Sequence, residues 1–172
     1  MPEFWEILDE NGNPTGRIHE RGKPLRKGEF HLALYVWIQN DAGKYLISQR
    51  SANKSYPHMW ECTGGNAVVG DDSLTTALKE TQEELGIILD PQNGKMLHHH
   101  LRHGDHDGRG LADVWLFRQN VDISTVILDP EETCDARWAT REEINRMIDE
   151  GIFTTWDLAP YIDALVSDTS PD

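Results

Sequence analysis

A chain of 172 residues with a formal net charge of −14 and a pI of about 4.8 can bury roughly two thirds of its unfolded surface as one domain. That acidity excludes a broad nucleic-acid or anionic-membrane footprint, and it leaves room for a small phosphorylated ligand held by a local basic pocket and a metal. Two cysteines, an acidic N-terminus without a signal pattern, and a longest apolar run (32–38) too short for a bilayer point to a soluble cytoplasmic protein with no disulfide framework and no membrane contact.

Residues 4–8 (FWEIL) read as a short strand. Residues 9–16 (DENGNPTG) collect turn formers, and 17–19 return as a second strand, which gives an N-terminal hairpin. Residues 21–28 (RGKPLRKG) are a basic connector, either a solvated linker or a segment that approaches an anionic ligand. Residues 30–39 (FHLALYVWIQ) are β-branched and aromatic, as a central strand requires. Asp41-Ala42-Gly43 turns the chain, and 45–50 (YLISQR) form the partner strand. Loop 51–59 then leads through 60–63 to Gly64-Gly65, where backbone lacking a Cβ can approach a ligand or ion.

The spacing predicts a helix from Ser73, as N-cap, to Gly86, as left-handed C-cap, with Asp71 and Asp72 just ahead of its first turn. Leu74, Ala77, Leu78, Thr81 and Leu85 make its packing stripe. Glu80, Glu83 and Glu84 share the other face. Like charges at this spacing oppose their own helix by a few tenths of a kcal/mol per pair. The face is therefore either a solvated acidic surface or a group of oxygen ligands for a hard divalent cation.

Beyond Asp90-Pro91, a strand is expected at 95–102 (KMLHHHLR), a loop at 103–110 and a strand at 111–119. A short strand at 126–128, a loop at 129–132 and an edge strand at 136–139 follow. Thr140 caps a helix with Glu143 as capping-box partner, running to about 150 and stopping at Gly151. A last helix starts at Thr155 or Asp157 and ends near 166, before a polar tail at 167–172. Helices interleaved with strands predict a mixed sheet covered on both faces.

The string from Gly65 to Ile87 resembles the Nudix box, Gly-x5-Glu-x7-Arg-Glu-U-x-Glu-Glu-x-Gly-U, where U is bulky and aliphatic. Gly65, Glu80, Glu83, Glu84, Gly86 and Ile87 match it. Asp71 stands for the first Glu, Lys79 for the Arg and Thr81 for the aliphatic residue. The resemblance implies an α/β class fold, the Nudix α/β/α sandwich, in a single domain. Residues 30–149 would form its core, 1–29 an N-terminal hairpin extension, and 150–172 a C-terminal helix and tail.

The resemblance further implies a pyrophosphohydrolase that uses Mg²⁺ or Mn²⁺ on a small-molecule diphosphate, a nucleoside diphosphate linked to another group or a related organic diphosphate. Glu80 and Glu84 would be the principal metal ligands, Glu83 a further ligand or base, and the Gly64 carbonyl an added donor. Asp71 and Lys79 would keep the family's supporting ion pair, weaker than an arginine fork. Glu132 would be the further catalytic carboxylate of a downstream loop. Arg50 and Lys54 match an Arg and Lys that hold diphosphate in the isopentenyl-diphosphate isomerases of the same fold, with solvated charge as the alternative. Relatives often dimerise, so the oligomeric state stays open between monomer and homodimer.

An isomerase is the second reading. The resemblance covers the whole chain, and His31 and Glu132 match, but Gly65 and Ala67 stand where the isomerase Cys and a metal-binding His belong, and Pro24 replaces another His. Cys62 lies three residues early. A non-catalytic nucleotide-binding module is the third reading. His98, His99 and His100 alternate on a strand and cannot all bind one ion, while His103, Asp105, His106 and Asp107 form either a metal clasp or a polar loop. Cys62 and Cys134 read as buried thiols. Tyr56 and Trp60 read as core residues or as a stacking surface for a base.

Overall fold

The computed structural model describes residues 1–102 and 110–154. The first elements are β1 (Phe4–Leu8) and β2 (Pro14–Glu20), an antiparallel hairpin. β2 starts earlier than expected because proline is tolerated at the first residue of a strand. The turn shrinks to 9–13, where Asp9 Oδ1 accepts from the backbone N–H groups of Asn11 and Asn13 at 2.8 and 2.9 Å.

A seven-stranded mixed sheet follows, built from β3 (His31–Gln39), β4 (Tyr45–Arg50), β5 (Trp60–Glu61), β6 (Thr63–Asn66), β7 (Gly94–Arg102), β8 (Gly110–Arg118) and β9 (Thr133–Ala139). Strands run in the order β5-β4-β3-β8-β7, with β6 added to β3 and β9 to β4. β3 and β8 are parallel from His31–Gly110 to Gln39–Arg118, and the other pairs are antiparallel.

Among the described residues, two α-helices cover the sheet. α1 (Ser73–Leu85) packs on a core of Leu34, Val36, Ile38, Leu46 and Phe117. α2 (Arg141–Asp149) sends Ile144 and Met147 into Trp37, Tyr45, Ile47, Val114 and Leu116 on the opposite face. The alternation of β3 divides its side chains between these cores, which is why the strand is apolar along its whole length. The mixed sheet, N-terminal hairpin and helix-covered faces agree with the fold expected from the sequence. No helix among the described residues is long and apolar enough to cross a membrane.

Three further expectations change. Asp72, not Ser73, is the N-cap of α1: its side chain accepts from Thr75 N at 2.7 Å, while Ser73 Oγ accepts from the Trp115 indole at 2.9 Å. Residues 126–128 form no strand. A 3-10 turn at Ile123–Thr125 leads into a segment whose Ile127 and Asp129 N–H groups donate to the carbonyls of Leu85 and Glu84, so it satisfies the end of α1 instead of joining the sheet. β4 is a partner of β3 only at Gln39–Tyr45, after which the two strands splay. The expected last helix and the His103–Asp107 cluster lie outside the described residues.

Candidate active site

The splay between β3 and β4 makes room for the site. Residues 60–66 cross that gap, first pairing with β4 through β5 and then with β3 through β6. Alternation gives Thr63 and Gly65 to the α1 side and turns Cys62 into the opposite core. A Cβ on Gly64 would stand 2.1 Å from the Leu34 carbonyl, so only glycine allows β6 this close to β3. A Cβ on Gly65 would stand 2.2 Å from the Glu80 carboxyl carbon.

The three helix carboxylates do not all lie on an exposed face. Glu84 follows Ala77 by two turns, and this places it within the buried stripe: it is 7% exposed, Glu80 is half-buried and Glu83 is exposed. Thr63 Oγ1 donates to Glu84 Oε2 at 2.6 Å. Burial first, then the charges of Glu84 and Glu83, push Glu80 up to about 8. Burial also pushes Glu84 up to about 7 against the Thr63 hydrogen bond, with Glu61 adding to the rise. Two neighbouring carboxylates held this far from their ordinary range are short of positive charge.

Cations stand across the gap. Arg50 Nη1 donates to both oxygens of Glu61 at 2.8 and 3.1 Å. Lys54 pairs with Glu132. The loops at 51–59 and 129–132 are one wall, because Ser51 N donates to the Glu132 carbonyl at 3.0 Å and Ser51 Oγ to the Glu131 carbonyl at 2.6 Å. Behind the helix, Lys79 Nζ lies 2.6 and 2.7 Å from the two Asp71 oxygens.

Glu61 belongs to the site although no sequence motif singles it out. Burial raises its carboxyl and Arg50 opposes the rise. A period-two count back from Gly65 through Thr63 reaches it, but a two-residue strand carries no pattern to prompt the count.

The histidines stand apart. His98 and His100 have ring centroids 6.4 Å apart, while His99 pairs with Asp113 in the sheet, as alternation requires. His31 is buried and stacks on Trp5 at 4.1 Å. The half-buried Trp60 packs on the α2-side core, and Tyr56 is exposed. Cys134 is exposed rather than buried, because β9 turns it outward beside Gln49.

Residues 29–158 match the NUDIX domain. The chain belongs to the Nudix hydrolase family. An uncharacterized Nudix hydrolase of Listeria monocytogenes is 36% identical over 153 residues, covering 88% of each chain. An isopentenyl-diphosphate Delta-isomerase of Shigella flexneri is 24% identical over 163 residues, covering 91% of this chain and 85% of its own. Among solved structures, DR0079 of Deinococcus radiodurans superposes with a TM-score of 0.75 at 21% identity, over 95% of this chain and 99% of that one. The NUDIX domain of Shewanella oneidensis NrtR, solved with ADP ribose, gives 0.63 at 15% identity, over 82% and 89%.

The Nudix site has the donors of a hard-cation centre. Glu80 and Glu84 offer oxygens in a place where burial disfavours uncompensated charge. Among the described residues, no three His, Cys, Asp or Glu side chains converge as a group that could hold a metal ion. Mg²⁺ and Mn²⁺ take one or two protein carboxylates and fill the remaining positions with water and substrate phosphate, so Glu80 and Glu84 fit such an ion by donor type. The buried Cys62 thiol is pushed up by desolvation, then by the charges of Glu61 and Glu84, and packs in the core on the other face of the sheet.

Proposed function

We propose that this Nudix protein is a divalent-metal-dependent pyrophosphohydrolase that cleaves the diphosphate linkage of a nucleoside diphosphate joined to another group, or of a related organic diphosphate. The observation that carries the reading is the pair Glu80, packed against Gly65, and Glu84, hydrogen-bonded to Thr63 and within the field of Lys54. Glu80 and Glu84, with Glu83 and the Gly64 carbonyl as further donors, would hold Mg²⁺ or Mn²⁺. The ion supplies charge neutralisation on the phosphoryl oxygens. Lys54 meets the diphosphate, and Arg50 adds positive charge behind it. Glu132, whose present partner is Lys54, would take a proton from the attacking water once phosphate occupies that lysine. Water oxygen then bonds to phosphorus, the bond to the bridging oxygen breaks, and the leaving phosphate carries the electron pair away. Asp71 and Lys79 brace the turn before α1 against the helix.

The ADP ribose bound by the NrtR domain supports a nucleoside diphosphate as substrate class. The test is incubation with ADP-ribose, dinucleotide polyphosphates, nucleoside triphosphates and prenyl diphosphates, each with Mg²⁺ or Mn²⁺. Cleavage at a diphosphate, absent in Glu84→Gln, is expected. A protein that binds these compounds and turns over none is a binding module. Deuterium wash-in from solvent to isopentenyl diphosphate makes it an isomerase.

A further inference from the structure

Glu61 is outside the box helix, and the chemistry above leaves it without a part. Yet it sits on one end of the most heavily bonded side chain in the site. Arg50 gives Nη1 to both Glu61 oxygens, Nε to the Ser55 carbonyl at 2.7 Å and Nη2 to Ser55 Oγ at 3.1 Å. One planar fork thus ties β5 to the middle of loop 51–59. The pair is shielded, with side-chain exposures of 11% for Arg50 and 19% for Glu61.

Backbone bonds close the same loop at its ends. Arg50 N donates to the Met59 carbonyl at 2.9 Å and His58 N to the Arg50 carbonyl at 3.0 Å. Gln49 Nε2 donates to the His58 carbonyl at 3.0 Å. Inside the loop, Tyr56 and His58 hold φ of +52° and +62°, a region that residues with a Cβ enter when the surroundings compel it. The loop carries Lys54, and Glu61 feels the charges of both Lys54 and Glu132.

We propose that Glu61 is a positioning residue that acts through Arg50 to fix loop 51–59 as the selectivity wall of the diphosphate site. It sets where Lys54 stands against the phosphate and how the loop meets the group attached to it. A lysine at position 50 keeps the charge but cannot reach Glu61 and Ser55 together. The role in selectivity rests on the diphosphate reading above, whereas the clamp itself can be measured without any substrate.

The first measurement is limited trypsin digestion, reading cleavage of the Lys54–Ser55 bond in the full chain. We expect Glu61→Gln and Arg50→Lys to speed that cut by about tenfold, since a loop that opens more often is cut more often. Cleavage at other lysines and the thermal midpoint should change little. In kinetics, KM for the cleaved diphosphate should rise by about tenfold with kcat nearly constant, and the ranking of substrates should change. The double variant should be no worse than either single one, because both break the same fork. An unchanged cut rate at Lys54 in both variants, or additive effects in the double, would overturn the proposal. If the parent cleaves no diphosphate, the proposed function fails, and the trypsin rates still decide the clamp.

Discussion

The two helices lie on opposite faces of one sheet and were built to different rules. α2 is composed for stability. Thr140 Oγ1 accepts from Glu143 N at 3.1 Å, Glu143 accepts from Thr140 N at 2.7 Å, and the buried residues are Ile144 and Met147. α1 has no acidic residue in its first turn, and it buries Thr76, Thr81 and Glu84 beside Ala77 and Leu85. Their carboxylates differ accordingly. Glu143 is held below its usual range by the Thr140 backbone N–H, whereas burial drives Glu80 and Glu84 far above theirs. A helix that carries buried acid in this way works against its own stability.

The widest separation between the helices should come from Glu84→Gln. Loss of outer-shell partners of a metal site costs about 10- to 100-fold in activity, so loss of a ligand should cost at least about 100-fold in kcat. The same substitution should leave the metal-free protein as stable as the parent or more so. In α2 the pattern reverses: Thr140→Ala should lower stability by about 1 kcal/mol with kcat unchanged. Denaturant melts and steady-state rates on the parent and both variants check this, and a Glu84→Gln enzyme with parental kcat removes the ground for treating α1 as special.

pH should sharpen the same contrast. Glu80 and Glu84 rise in the folded state, so the folded chain keeps protons that the unfolded chain releases. Their contribution is therefore present below pH 4.5 and is lost as pH climbs through about 7 to 8. A tenfold change in proton affinity is worth about 1.4 kcal/mol, so a loss of a few kcal/mol in chelator is the scale expected. Glu80 and Glu84 titrate jointly, because the Glu84 charge raises Glu80. Glu143, being lowered, works in the opposite sense and loses its contribution as pH falls. Melting at pH 5.5 and 8 with chelator, then at pH 8 with Mg²⁺, should show a drop and its recovery. In Glu80→Gln the drop should shrink.

The glycines beneath α1 separate fold from site. Gly64→Ala drives a Cβ into the Leu34 carbonyl, which is backbone and cannot move away, so a loss of about 1–3 kcal/mol is expected. Gly65→Ala meets the Glu80 carboxylate first, and that side-chain end can swing aside. Its stability should barely change, and the loss should appear in metal affinity, read by calorimetric titration with Mn²⁺.

Most of the fold was legible because its signals are local. The period of α1, the capping box of α2, Gly86 with its φ of 66° and the alternation of 4–8 need no distant partner. What escaped depends on partners far along the chain. Residues 126–128 are as β-branched as a strand, but the carbonyls of Glu84 and Leu85 bind the N–H groups of Ile127 and Asp129. β4 looks like the hairpin mate of β3, yet β9 holds it from Tyr45 to Arg50. The candidate site divides the same way. The helix carboxylates stand out at their spacing, while Glu61 acquires meaning only when the splay sets it against Arg50.

The smallest expected effect is at Asp71 and Lys79. Their contact at 2.6 Å ties the turn before α1 to the helix, but Lys79 remains 54% exposed and the pair is screened. Exposed pairs contribute about 0–1 kcal/mol, so Lys79→Met should cost no more than that and should cost less in high salt. Lys79→Arg restores a fork that can meet both Asp71 oxygens at once, and it should match the parent or exceed it slightly. If Lys79→Met instead removes activity as thoroughly as Glu84→Gln, this pair shapes the carboxylate cluster directly. The contrast between α1 and α2 would then extend to the turn that precedes α1.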